Sequence, residues 1–290
     1  MFNKISLEDN KLLSIYLSVQ QNKPLPDFPE FVKNMEAEIG SYDSSSIDVA
    51  INKFNIRIAA CRTYSWGVPT NDVIQKICEY GYQYGGIVEP GAGAGYWMSL
   101  IRKANNNKFV TIATDLNPWH LNQNDYGNVD SLYTTVEVGD AVTDAKMAAE
   151  KGYVLFTVWP EYEAKWTGDM IFEYLKNGGQ CVLFIGEGPG GCTGSDRMHA
   201  LLNKFFNRVI PSQTEDGFEG VRQWRGIRDS FYIFYRNDEH FDPSDIAWSQ
   251  DFFEFRDSYQ YEEEEMVRKA FADMFPQHLH RYEELTKGWW

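Results

Sequence analysis

The sequence predicts an α/β fold whose core is a doubly wound, mostly parallel sheet. Two observations carry that reading. Five apolar runs are spaced along the middle of the chain, each ending in a carboxylate, a glycine or another polar residue, with helix-spaced apolar stripes between them. The first run also empties into a tight turn with glycines at alternate positions, Gly91, Gly93 and Gly95. Apolar strands that alternate with amphipathic helices specify parallel pairing, and ligands then bind beyond the carboxyl ends of the strands.

Residues 1–69 read as a helical N-terminal extension. Leu12, Leu13, Tyr16 and Leu17 form one stripe, Phe31, Val32 and Met35 form another, and the proline-bearing residues 22–27 separate them. Residues 70–237 form the core. Ile74, Ile77, Cys78 and Gly81 mark its first helix, with Thr70 or Asn71 as the cap. The five strands are residues 86–89, 109–115, 134–138, 154–158 and 181–185. A helix at residues 97–101 follows the glycine turn. Met170, Ile171, Tyr174 and Leu175 form a further stripe, which Gly178-Gly179 stops. Met198, Leu201, Leu202, Phe205 and Phe206 form another, capped by Ser195 or Asp196. Residues 231–235 read as a late strand that pairs with a shorter one at 221–224, an antiparallel hairpin that brings the sheet to seven strands. Residues 238–290 form an acidic, aromatic-rich C-terminal helical appendage packed on the core. There Glu262–Glu265 open a helix whose apolar side is Met266, Ala270, Phe271 and Met274. The closing Trp289-Trp290 packs back on the core or forms an oligomer interface.

Two glycine fingerprints compete at the turn. The dinucleotide pattern Gly-x-Gly-x-x-Gly/Ala needs a small third residue. Counted from Gly91 that position falls on Tyr96, and counted from Gly93 it falls on Met98. The observed pattern is instead acidic-x-Gly-x-Gly-x-Gly, Glu89 to Gly95. It resembles motif I of the class I S-adenosylmethionine (SAM)-dependent methyltransferases, and the likeness extends over roughly residues 70–237. The resemblance implies a Rossmann-like methyltransferase core with SAM as cofactor. It places Gly91, Ala92, Gly93 and Gly95 beneath the methionine part of SAM, with Glu89 near its ammonium group. It assigns both ribose hydroxyls to Asp115 and the adenine to Leu116, Asp140 and Ala141. It also allows the aromatic segment at residues 64–69 to fold over the cofactor. Read by itself, Asp115 serves equally as a turn or cap residue ahead of Asn117-Pro118.

Chemistry is expected at the exit of the fourth strand. Amino-group methyltransferases of this class carry Asp, Asn or Ser, then Pro-Pro, then an aromatic residue. Trp159-Pro160-Glu161-Tyr162 keeps the first proline and the aromatic and departs at the other two positions. Trp159 is suited to stack on a planar substrate or flank the cofactor. Glu161 and Tyr162 are the candidate catalytic residues, Glu161 as proton acceptor. The glycine-rich residues 186–196 sit on the same face without the Gly-Lys-Ser/Thr of a phosphate loop, and Cys192 within them reads as an idle thiol.

Composition narrows the partners. A chain of 290 residues, 43% hydrophobic and 16% aromatic, holds a substantial core. The net charge of −15 disfavours nucleic acid, so the expected acceptor is a small molecule or a protein. Four dispersed cysteines, acidic residues within the first nine positions and the lack of a spanning apolar run predict a cytoplasmic protein without membrane association. No metal site is expected. The predicted function is SAM-dependent methyl transfer. The alternatives are a catalytically inactive SAM-fold binding or scaffold protein and an NAD-dependent oxidoreductase, the latter disfavoured by Tyr96 and Met98.

Overall fold

Strand β1 (Gly86–Pro90) is buried along its whole length, as an unbroken apolar run requires when both faces of a sheet are covered. It pairs in parallel with β2 (Val110–Asp115) on one side and β4 (Val154–Val158) on the other. The short β3 (Glu137–Val138) adds beyond β2, and β5 (Cys181–Gly186) adds beyond β4, both in parallel. The seven-stranded sheet has the order β3-β2-β1-β4-β5-β7-β6. It is mixed, because β7 (Ser230–Arg236) runs antiparallel to both β5 and β6 (Phe206–Val209). The order reverses between β1 and β4, which opens a crevice above their carboxyl ends. This computed structural model describes residues 2–21, 23, 56–118, 132–238 and 264–274.

Alternate strand residues supply two cores, one on each face. Ile87, Phe156, Leu183 and Ile185 pack with α1 (Lys11–Gln21), α2 (Asn71–Gln83) and α3 (Tyr96–Asn105). Val88, Leu155, Val182 and Phe184 pack with α4 (Ala141–Glu150), α5 (Lys165–Lys176) and α6 (Asp196–Phe205). The helices begin where side-chain oxygens meet orphan backbone donors. Thr70 Oγ1 accepts from Val73 N at 3.4 Å, and Ser195 Oγ accepts from Met198 N at 3.2 Å. Tyr174 ties α5 to β5 and to the residue before β4: its hydroxyl donates to Tyr153 O (2.8 Å) or Cys181 O (2.9 Å) and accepts from Cys181 N (3.2 Å). Tyr174→Phe strands these buried groups and should destabilise the fold by about 1–3 kcal/mol, read by urea denaturation.

The edge hairpin differs from the sequence expectation. β7 pairs with β6, and residues 221–224 are outside the sheet. Phe206 continues the helical spacing of Leu202, yet its backbone is extended (φ −127°, ψ 148°), so α6 passes directly into β6. Residues 221–224 hold the N-terminal extension instead. Arg222 N donates to Val68 O at 3.1 Å, and Trp224 meets the Tyr16 ring edge-on at 5.1 Å. α1 is fixed further by Leu12 N donating to the Tyr96 hydroxyl (3.0 Å), which donates to Asn10 Oδ1 (3.1 Å). The third strand is also shorter than expected, because Thr134 and Thr135 accept from the Arg102 guanidinium rather than joining the ladder.

The short α7 (Pro211–Thr214) precedes residues 215–229, and α8 (Glu264–Met274) returns to the second core. α8 packs Ala270 and Phe271 on the core as predicted, but Met266 is exposed and Val267 is buried in its stead. Glu262, Glu263, the stripe at Phe31, Val32 and Met35, and the pair Trp289-Trp290 lie outside the described residues. Among the described residues no helix is long and apolar enough to cross a membrane.

Candidate functional site

The glycine turn is set by three left-handed backbone positions, Gly91 (φ 69°), Gly93 (φ 54°) and Gly95 (φ 76°). Neighbouring strands pin it. Ala92 N donates to Thr114 O (2.9 Å), Gly93 N donates to Asp115 Oδ2 (2.8 Å), and Ala94 O accepts from Tyr133 N (3.0 Å). A Cβ at Gly93 would have no neighbour within 4 Å, so this backbone faces open space. A Cβ at Gly95 would come within 2.7 Å of Val136 Cγ2 and 3.0 Å of Thr134 Cγ2. Gly95 thus serves packing behind the turn, and it does not border the cavity as the other predicted positions do.

That cavity, of about 770 Å³, lies above β1 and β4. Glu89, Gly91, Ala92, Gly93, Asp115, Leu116, Asp140, Ala141, Trp159, Glu161 and Tyr162 all line it. Glu89 is only 3% exposed, and its Oε2 has no hydrogen-bond partner. Burial pushes its carboxyl up to about 8; Arg102 and the Met98 backbone N–H pull against that rise, and Asp115 adds to it. Asp115 closes an Asx turn, its Oδ1 accepting from Asn117 N at 2.9 Å, while Oδ2 holds Gly93. It therefore has the local turn role that its sequence allowed and also borders the cavity. Asp140 caps α4, with Oδ1 accepting from Thr143 N at 2.9 Å.

Aromatic side chains build the opposite wall. Trp159 stacks on Trp66 with centroids 5.2 Å apart and planes 21° apart. Its backbone is left-handed (φ 49°), a conformation a bulky residue keeps only when its surroundings impose it. Here Trp159 N donates to Ile185 O (2.8 Å), and Trp159 Nε1 donates to Asp229 Oδ1 (2.8 Å). Asp229 is 1% exposed with Oδ2 unpartnered. Burial pushes its carboxyl up to about 7, against the pull of Trp159 and Arg57. Trp97 Nε1 donates to Ser65 Oγ (3.1 Å), and Trp166 Nε1 donates to Glu161 Oε2 (3.3 Å). Tyr162 is exposed, and the neighbouring Glu163 raises its phenol, so it stands protonated at neutral pH.

The glycine-rich loop after β5 is clasped to the β4 exit: Gly194 N donates to Pro160 O (2.9 Å), and Glu163 N donates to Gly194 O (3.0 Å). Glu187 joins that loop to residues 217–229, accepting from Cys192 N (2.9 Å) and Arg228 N (2.8 Å). Cys192 borders the cavity, but burial and Glu187 push its thiol up to about 11, which leaves it protonated and unreactive. Among the described residues no group of three or more His, Cys, Asp or Glu side chains is gathered for a metal.

Sequence reasoning missed Trp97, Trp166, Asn117 and Asp229. The signal for Asp229 was available only through strand pairing. β7 starts antiparallel beside the end of β5, with Gly186 opposite Ser230, so the residue just before β7 is delivered to the ligand edge. Trp166 lies in the first turn of α5, which starts just after the β4 exit, and so faces the same cavity. No protein-family model matches this chain, and no curated protein matches it in sequence.

Proposed function

We propose that the chain is an enzyme of the Rossmann-like class that binds a nucleoside cofactor above β1 and β4. Within that class we propose a SAM-dependent methyltransferase acting on a small-molecule or protein acceptor. One observation carries this: a buried Glu89 oxygen without a partner stands beside a bare glycine turn, with Asp115 and Asp140 at the next strand ends around the same cavity. An unpartnered buried carboxylate oxygen is a costly arrangement unless a donor comes to it. Glu89 would meet an ammonium group there, and Gly93 would let a ligand lie against the backbone. Asp115 keeps acceptor capacity for hydroxyls, since each carboxylate oxygen takes more than one donor. Leu116 and Ala141 offer apolar contact to a flat ring. The antiparallel edge hairpin accords with the same reading, although β6 rather than residues 221–224 forms it.

When bound, SAM supplies a methyl group made electrophilic by its sulfonium. The chain's contribution is to orient the acceptor, exclude water and hold its proton. Alignment alone supplies much of the acceleration for a displacement at carbon. Glu161 is the proton acceptor in this reading, and the protonated Tyr162 is a donor beside it. Calorimetric titration with SAM, its demethylated product and NAD tests the assignment; NAD binding without SAM binding overturns it. Asp115→Ala should weaken SAM by about 1–3 kcal/mol. Unchanged affinity in a folded variant removes Asp115 from the cofactor site.

A further inference from the structure

The wall opposite the glycine turn assigns a ligand class to the rest of the cavity. Three tryptophans there have their indole N–H groups engaged by protein acceptors: Trp97 by Ser65, Trp159 by Asp229 and Trp166 by Glu161. Their polar edges are therefore taken up internally; Trp97 is buried in the first core behind the wall, and what Trp159 and Trp166 leave for a ligand is ring face and hydrocarbon. The Trp66–Trp159 stack adds a pre-built flat surface, held in place by the buried Asp229 and by the backbone bond to Ile185. The charges around the cavity are unequal. Asp115, Asp140 and Glu161 line it, against Arg62 as the cationic side chain among the described lining residues. A tryptophan face attracts a cation through its quadrupole, and the surrounding carboxylates bias the site in the same direction. An anionic ligand would meet few donors and a repulsive field.

We propose that this aromatic wall is the subsite for an arylalkylamine: a flat ring laid on the Trp66–Trp159 pair, with the ammonium group of its side chain toward Glu161. As a statement of which molecule accepts the methyl group, this rests on the SAM reading above. As a statement of what binds, it does not. The two are tested separately on the full chain. Tryptamine, tryptophol and indole-3-acetate share one ring and differ in side-chain charge, and each is titrated by calorimetry and ligand-observed NMR. SAM is titrated alone in a parallel experiment. The expected result is tryptamine binding at least tenfold tighter than tryptophol, with indole-3-acetate weaker still. Trp66→Leu should weaken tryptamine at least tenfold, and Trp66→Phe, which keeps a ring face, should restore most of the affinity. Indole-3-acetate binding as tightly as tryptamine, no binding of tryptamine, or full affinity in Trp66→Leu overturns the amine subsite. SAM binding alongside any of those results leaves the cofactor reading intact. Tryptamine binding without SAM binding leaves the amine subsite standing and overturns the methyl-acceptor role.

Discussion

Glu89→Gln is expected to make the ligand-free protein more stable at pH 8.5 and to flatten the pH dependence of its stability. The folded carboxyl sits at about 8 against an ordinary value of 4.5, because burial disfavours its charged form. Below about 4.5 the group is protonated in both the folded and the unfolded chain, and its contribution to stability is fully present. As pH rises through 8, the unfolded chain releases the proton first and the folded chain progressively loses that stability. With each pKa unit worth about 1.4 kcal/mol, the loss is on the order of 5 kcal/mol. Asp229 follows the same sign over a lower window, from 3.8 to about 7. Urea denaturation of the native protein and of Glu89→Gln at pH 5 and pH 8.5 reads the difference. Equal pH dependence in the two proteins would show that Glu89 is not held protonated. Under the proposed function the same substitution weakens SAM binding, so the residue that burdens the empty fold is the one the ligand relieves.

Gly95→Ala should be the most damaging change in the turn. A left-handed conformation costs an L-residue about 1–2 kcal/mol. The added Cβ would also stand 2.7 Å from Val136 Cγ2, within a segment that Arg102 clamps through Thr134 and Thr135. Overpacking of that kind adds about 1–3 kcal/mol, so a total near 3 kcal/mol is expected. Gly93→Ala carries only the conformational part, about 1 kcal/mol, because open space surrounds its Cβ. Its methyl group would instead occupy the ligand's path. Thermal unfolding should therefore rank Gly95→Ala as the less stable variant. SAM calorimetry on the folded Gly93→Ala protein should show an affinity loss out of proportion to its stability. Equal melting temperatures for the two variants would refute the packing role given to Gly95.

What the sequence made legible was local. The turn could be read because alternate glycines stand next to each other in the chain, and Glu89, Asp115 and Asp140 could be placed because each closes a short strand. The same locality misled at Phe206, which satisfies helical spacing from Leu202 but takes an extended conformation because β7 offers it a partner 30 positions away. Trp224 closes the short stretch 221–224 expected as a strand, and it packs against Tyr16 of the N-terminal extension. Met266 fits the same amphipathic stripe as Ala270 and Phe271, yet it is exposed, and Val267 takes the core-facing place. The aromatic wall was beyond reach for the same reason. Trp66 meets Trp159, and Trp159 meets Asp229, through the fold alone.

Those separations also set an order of assembly. The glycine turn and its carboxylates come from one continuous stretch of chain, so the turn can form as soon as β1, β2 and α4 pair. Trp159 waits for Asp229, which is 70 residues further on and is delivered only when β7 docks against β5. Closing that long loop is the slower event, since chain entropy opposes it until the strand is in place. The acidic, glycine-lined wall thus draws on chain up to β4, whereas the anchor that holds Trp159 in the aromatic wall is supplied by the segment just before β7.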